Sequence, residues 1–325
     1  MTSLTSLPRL RLLPGPTPLQ PAPRLSKAIG TEVWLKRDDL TGTGLGGNKI
    51  RALEYLAADA LHRGCDCLVT GAGPQSNWAM LAALVARTCG LDPYLVYYGS
   101  SEEPAGNHAL AELVGTDIRF TGSADRASVD GTLESVAREL RGQGRRPYVL
   151  PRGGATALGS VGYVRAGLEL VTQAMDAELE PESLWLATGS CGTHAGLLAA
   201  VRSLGSPFRV VGVTVSRPAA ECAERVAALA HQSAGLLSLP TPESGDDLEI
   251  VDGYTGPGYG RSSPEGEEAA RLVAETEGIF LDPVFGAKAM AALVDAARRG
   301  RLTGPAVFLV SGGAPTLLDP SRRQR

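Results

Sequence analysis

Short aliphatic and β-branched runs alternate along the chain with longer segments whose apolar residues recur at i, i+3, i+4 and i+7. The short runs predict strands at Glu32–Arg37, Cys67–Gly71, Pro93–Tyr98, Asp117–Phe120, Pro147–Leu150, Leu184–Ala187, Arg209–Val215, Ile279–Asp282 and Ala306–Val310. The longer ones predict helices, among them Lys49–Arg63, Asn77–Cys89, Leu133–Arg141, Gly159–Gln173, His194–Ser203, Pro264–Thr276 and Ala287–Arg299. Strands alternating with helices pair in parallel through helical crossovers. The expectation is an α/β architecture with open, mainly parallel twisted sheets flanked by helices. Nothing recurs at a fixed short period, so the chain does not read as a solenoid.

Glycines gather in four loops that leave strands or enter helices: Gly42–Lys49, Gly71–Asn77, Thr188–Gly196 and Ser311–Thr316. In open α/β sheets, ligands lie outside the carboxyl ends of the strands, where such loops meet helix N-termini. Lys49 opens an amphipathic helix carrying Leu53, Leu56 and Ala57 on one face. A helix N-terminus disfavours a cation, so this placement lowers the lysine pKa and favours the free amine that Schiff-base chemistry needs. The plainer reading is an exposed lysine beside a loop. Ser76 suits a helix N-cap, or a hydroxyl facing a substrate, with Asn77 reaching a ring oxygen. In Ala187–Gly196, small residues let backbone N–H groups converge on an anion, and Ser190 and Thr193 add hydroxyls. That suits one phosphate. The glycines at 189, 192 and 196 miss the dinucleotide spacing, and Val215-Ser216-Arg217 lacks the acidic residue that binds a ribose. Arg217 leaves a phosphorylated dinucleotide, and so a nucleotide-dependent oxidoreductase, as a weaker alternative. Ser311 offers a hydroxyl to a heterocycle nitrogen or merely a turn. Tyr259 sits in the Gly/Pro-rich stretch Tyr254–Gly260, facing either a ligand or the packed interior.

Composition narrows the field. A chain of 325 residues that is 43% hydrophobic can bury a large core or two moderate ones. The net charge of −4 leaves no basic surface to recommend nucleic acid, and Arg141–Arg146 and the tail Arg322–Arg325 read as solvated ends. Pro8, Arg9 and Arg11 interrupt any signal-peptide core, and nowhere do about 18 uninterrupted apolar residues occur, so no membrane partner is expected. Five cysteines, Cys65, Cys67, Cys89, Cys191 and Cys222, read as reduced cytosolic thiols. His62 stands near Cys65 and Cys67, but no second pair completes a zinc set, so no metal is expected.

Taken together and in this order, GGNKIRALEYL, GPQSN, TGSCGTHAG, GPGYG, EGIFLDPVFGAKAM and SGGAP resemble the 1-aminocyclopropane-1-carboxylate (ACC) deaminase and D-cysteine desulfhydrase family, among the tryptophan-synthase-β-like, fold type II pyridoxal-phosphate enzymes. The similarity runs from about Leu7 to Leu318. It implies a larger domain of residues 1–51 and 159–325 and a smaller inserted domain of 52–158, with the cofactor between them. It implies that Lys49 holds pyridoxal 5'-phosphate as a Schiff base, that Asn77 contacts the ring's phenolic oxygen, and that Thr188, Gly189, Ser190, Cys191, Gly192 and Thr193 hold the phosphate. Ser76 matches a serine that contacts the substrate carboxylate or assists proton transfer, and Tyr259 a tyrosine placed near the substrate. A cytoplasmic homodimer acting on a small amino acid is the corresponding expectation. The departures bear on the reaction. Trp78 stands where a polar residue is usual, Phe285 replaces a tyrosine, and Gly286 replaces the deaminases' glutamate that faces the pyridine nitrogen. Ser311 is then the best remaining partner for that nitrogen. Opening a cyclopropane demands strong electron withdrawal, so these losses argue for α,β-elimination from D-cysteine or a related β-substituted amino acid, giving a 2-oxo acid and ammonia. A β-replacement synthase and an ACC deaminase are the alternatives. Trp78 and Phe285 make the pocket more apolar than D-cysteine needs.

Overall fold

The computed structural model describes residues 4–206, 208–240 and 248–318; the tail Arg322–Arg325 lies outside them. Two sheets organise the chain. The larger has six strands in the order β1-β2-β10-β7-β8-β9, comprising β1 (Leu19–Pro21), β2 (Val33–Arg37), β7 (Ser183–Thr188), β8 (Arg209–Thr214), β9 (Leu248–Val251) and β10 (Ala306–Val310). Every pairing in it is parallel except β1 with β2. The smaller sheet, β5-β4-β3-β6, is parallel throughout and consists of β3 (Cys67–Ala72), β4 (Asp92–Tyr97), β5 (Asp117–Phe120) and β6 (Pro147–Val149). This is the two-sheet, helix-flanked α/β arrangement that the alternation predicts.

Burial explains why the central strands are so uniformly apolar. Ala306–Val310 is buried at every position, because helices cover both faces of the sheet. One face packs against α1 (Pro23–Ile29), α9 (Pro264–Glu277) and α10 (Gly286–Arg298), and the other against α6 (Ala157–Asp176), α7 (Gly192–Leu204) and α8 (Ala219–Leu236). Helices α2 (Lys49–His62) and α3 (Asn77–Thr88) share a core on one face of the smaller sheet, to which α4 (Gly106–Leu113) adds Leu110, and α5 (Ser128–Gly142) covers the other face. Helix starts follow the polar cap residues: Ser76, Thr156 and Ser263 each accept an N–H from their own first turn.

The run Ile279–Asp282 is not a strand. The buried Asp282 carboxylate accepts from the N–H groups of Val284, Phe285 and Gly286, at 3.0, 2.7 and 2.9 Å, and so turns the chain into α10 instead of extending it along the sheet. Two short strands, β1 and β9, escape the period-2 pattern because three or four residues are too few to show it.

Candidate active site

A network of buried charges fixes where α2 begins. Asp38 is fully buried and accepts from Arg51 Nε and Nη2, each at 2.8 Å, from Thr17 Oγ1 at 2.7 Å and from Tyr163 Oη at 2.5 Å. Glu169 receives Arg51 Nη1 at 3.0 Å and Lys36 Nζ at 2.5 Å. Burial works against the Asp38 charge, but the adjoining guanidinium outweighs it and holds the carboxyl below its usual range. Arg51 lies two positions beyond Lys49, so the network clamps the turn from which Lys49 projects. The preceding residue is held as well: Asn48 N–H donates to the Ser311 carbonyl at 2.9 Å, and its side chain donates to Thr193 Oγ1 at 3.1 Å.

Lys49 projects into a cavity of about 820 Å³, counting its open mouth, between the carboxyl ends of the two sheets. Burial pushes its ammonium down to about 8, and the Asp282 carboxylate opposes part of that shift. A substantial fraction of the lysine is therefore the neutral amine near physiological pH. Desolvation is the leading cause of that lowering, beside the helix dipole that the position of Lys49 predicts.

The same cavity collects Ser76, Asn77, Gly189, Ser190, Tyr259 and Ser311. Gly192 and Thr193 line an adjoining recess that shares Lys49, Asn48 and Ser190. Ser76 does cap α3, accepting from Ala79 N–H at 3.2 Å, and it also lines the cavity. Asn77 Oδ1 accepts from Asn107 Nδ2 at 2.7 Å, an orienting contact from a fully buried residue that no sequence motif marked. Gly313, at φ 101°, passes so close that a Cβ there would lie 2.5 Å from Asn77 Nδ2. Tyr259 stacks under the Arg126 guanidinium at 3.9 Å and meets Phe285 edge-on with centroids 6.1 Å apart. Burial lifts its phenol to about 12.

Thr188 and Cys191 turn their side chains elsewhere. Thr188 Oγ1 lies 3.1 Å from His194 Nδ1, and Cys191 packs into the core. Cys191 adopts a left-handed conformation, φ 77°, immediately before α7, which bends the loop over the helix N-terminus. The first-turn N–H groups of α7 lack helical partners, and Ser190, Gly192 and Thr193 line the recess beside them, an arrangement able to hold one anion. Arg217 also reaches the wall, but it is paired with Glu221 and donates to the Gly189 carbonyl at 3.2 Å, leaving little for a second phosphate.

The departures from the family pattern are accommodated. Trp78 is buried, donates Nε1–H to Thr70 Oγ1 at 2.9 Å and lies under Gly154, where a Cβ would come within 2.2 Å of its ring. Phe285 borders the cavity. Gly286 begins α10 with its N–H on Asp282. Arg126, Arg152 and Tyr98 also line the cavity, although none of them falls in the four glycine loops that the sequence singles out.

A buried amine of lowered pKa, an anion-compatible loop ahead of α7 and the polar groups of Ser76, Asn77 and Ser311 around one cavity are the equipment of an enzyme that works through an aldehyde-bearing phosphate cofactor. The chain belongs to the pyridoxal-phosphate-dependent enzymes: the model of that family matches residues 10–312. It is 42% identical over 322 residues to a D-cysteine desulfhydrase of Salmonella typhi, covering 97% of this chain and 96% of that one. A second D-cysteine desulfhydrase, from Salmonella paratyphi B, is 41% identical over the same shares. Among solved structures, an ACC deaminase homologue superimposes with a TM-score of 0.91 at 40% identity, covering 97% of this chain and 94% of that one. A pyridoxal 5'-phosphate-dependent aspartate racemase shares the fold, with a TM-score of 0.66 at 16% identity, covering 91% and 90%.

Proposed function

We propose that this enzyme removes the β-substituent from a small amino acid by α,β-elimination, with D-cysteine or a close β-substituted analogue as substrate and a 2-oxo acid and ammonia as products. The observation that carries the reading is the Lys49 amine, brought to about 8 by burial, facing one cavity with Ser76, Asn77 and the cup ahead of α7. The similarity to D-cysteine desulfhydrases over nearly the whole chain supports it.

Lys49 would anchor pyridoxal phosphate, the loop from Thr188 to Thr193 its phosphate, Asn77 its phenolic oxygen and Ser311 its ring nitrogen. When bound, the cofactor supplies an electron sink for the pair released at Cα. The Lys49 amine receives the Cα proton. Ser76 and the opening turn of α3 hold the α-carboxylate, and Tyr259 closes the substrate side with a protonated phenol. The leaving group departs from Cβ with its bonding pair, and the 2-aminoacrylate hydrolyses to pyruvate and ammonia. Phe285 and Gly286 bring neither a phenol nor a carboxylate to the cavity, which favours elimination over opening of a cyclopropane.

The division into residues 1–51 with 159–325 and 52–158 is part of the same reading, supported by a small sheet whose strands all fall between Cys67 and Val149. So are a homodimer, to be checked by sedimentation, and a cytoplasmic location, supported by five free cysteines. No helix among the described residues is long and apolar enough to cross a membrane.

The experiment is a panel of D-cysteine, L-cysteine, 3-chloroalanine and ACC, with pyruvate, sulfide and 2-oxobutyrate assayed. Pyruvate from a β-substituted substrate, lost in a folded Lys49→Ala protein, is the expected result. Adducts formed only with an added nucleophile would replace this reading with a β-replacement synthase. Persistence of activity in the variant would overturn it.

A further inference from the structure

The cavity wall holds Lys49, Arg126, Arg152 and Arg217, and not one aspartate or glutamate. Two of these cations are already matched. Arg217 is paired with Glu221, and Arg152 reaches Asp130 at 3.2 Å on the outer side. Arg126 has no carboxylate partner among the described residues; its contact is the Tyr259 ring. The anions of the proposed reaction do not account for it either. In the proposed reading the phosphate goes to the cup ahead of α7 and the α-carboxylate to Ser76 and the first turn of α3, which leaves Arg126 without an assigned anion.

Topology shows what Arg126 faces. Gly73 follows β3, Tyr98 follows β4, Arg126 follows β5 and Arg152 follows β6, so the connection after every strand of the smaller sheet contributes to the cavity lining. Tyr98 Oη sits so near Gly73 that a Cβ there would lie 2.6 Å from it. Burial raises both the Tyr98 and Tyr259 phenols, so they stay protonated and donate without adding negative charge. The wall is thus a half-buried set of cations and O–H donors, complementary to an oxyanion.

We propose that this wall selects amino acids whose β-substituent carries its own negative charge, with Arg126 as the specificity-determining residue and Arg152 beside it. The inference rests on the elimination reading and names its substrate class: a β-sulfated, β-phosphorylated or similarly anionic alanine. With serine O-sulfate, the Cα–H proton goes to Lys49 and the Cβ–O bond breaks with its electron pair leaving on sulfate. Water then converts the 2-aminoacrylate to pyruvate and ammonium, with no net oxidation.

The holoenzyme is assayed with racemic serine O-sulfate and O-phosphoserine against racemic O-acetylserine and 3-chloroalanine, which are neutral at the same position. The anionic pair is expected to show higher kcat/KM by at least about tenfold, as one charge-assisted contact supplies. Arg126→Gln lowers the anionic-to-neutral ratio by about 30-fold, and Arg126→Lys restores part of it. Calorimetric binding of racemic 2-amino-3-phosphonopropanoate, compared with norvaline, follows the same ratio without turnover. Equal handling of anionic and neutral substrates, or a ratio untouched by Arg126→Gln, overturns the proposal. So does a variant that loses only affinity for pyridoxal phosphate, which would assign the guanidinium to the cofactor. If neither these four nor D-cysteine yields pyruvate, the elimination reading has failed, and the calorimetric ratio still decides whether the wall reads charge.

Discussion

Replacing Asp38 by Asn tests whether the buried charge network behind Lys49 carries a measurable share of stability. The side chain is fully buried, and four donor contacts converge on its two oxygens: two from Arg51 and one each from Thr17 and Tyr163. Asn keeps the shape but has one acceptor oxygen and presents an NH2 to donors. Arg51, 3% exposed, is then left with Glu169 as its sole carboxylate. Breaking a buried pair by removing one partner costs about 3–5 kcal/mol, and the contact that Glu169 keeps puts the expectation near the lower end, at about 3 kcal/mol. For a chain of 325 residues the unfolding entropy is roughly 0.7 kcal/mol/K, so calorimetry at pH 7 should show Tm lower by about 4 °C. The double variant Asp38→Asn/Arg51→Met should recover at least half of that loss, because it strands no charge. The sign with pH follows from the lowered carboxyl pKa. A depressed folded-state value contributes stability above the ordinary aspartate value of about 3.9, lost as pH falls below it; the gap between wild type and variant should hold from pH 8 to 5 and narrow in acid. A Tm change under about 1 °C, or no recovery in the double variant, would refute the reasoning.

Asn107→Ala removes the 2.7 Å contact that orients Asn77 and a second to the Gln75 carbonyl at 3.0 Å; kcat/KM for 3-chloroalanine should fall about tenfold, and an unchanged value would show that Asn77 needs no such support. Gly154→Ala drives a Cβ into the Trp78 ring at a φ of +71°, so urea unfolding should report a loss of about 2–4 kcal/mol, relieved by pairing it with Trp78→Phe only if the clash and not the backbone dominates. Because burial lowers the Lys49 ammonium to about 8, the free amine accumulates as pH rises; reconstitution of apoenzyme with pyridoxal phosphate, followed by the visible band, should accelerate about tenfold per pH unit below 8 and level off above it. A rate still climbing above pH 10 would mean that the lysine keeps its ordinary basicity.

Local signals account for what could be read in advance. Apolar periodicity announces most of the long helices, with a polar cap as well at Ser76, Thr156 and Ser263, while α8 goes unnamed; the four glycine loops that the pattern singles out all reach the ligand end of the sheets, because the chain needs left-handed or crowded backbone there: φ 136° at Gly47, 77° at Cys191 and 101° at Gly313. The failure at Ile279–Asp282 is equally physical. Its apolar run has the composition of a strand, but three N–H groups on the Asp282 carboxylate make a turn that a hydrophobic pattern cannot express.

Arg126, Arg152 and Tyr98 were illegible for a different reason. Arg126 has no glycine beside it, and although Gly99 follows Tyr98 and Gly153-Gly154 follow Arg152, a short glycine step by itself does not separate either from an ordinary turn residue. Only register brings them together: Ala72 pairs with Tyr97, and Tyr97 in turn with Phe120, so parallel strands of the smaller sheet end at one level. The residues after those ends must then share a wall, whatever their distance along the chain. Chemistry that one loop supplies, such as an anion cup or a lysine at a helix start, can be read from adjacent letters. Selectivity assembled from the ends of four strands depends on their alignment, and therefore emerges only when the sheet is formed.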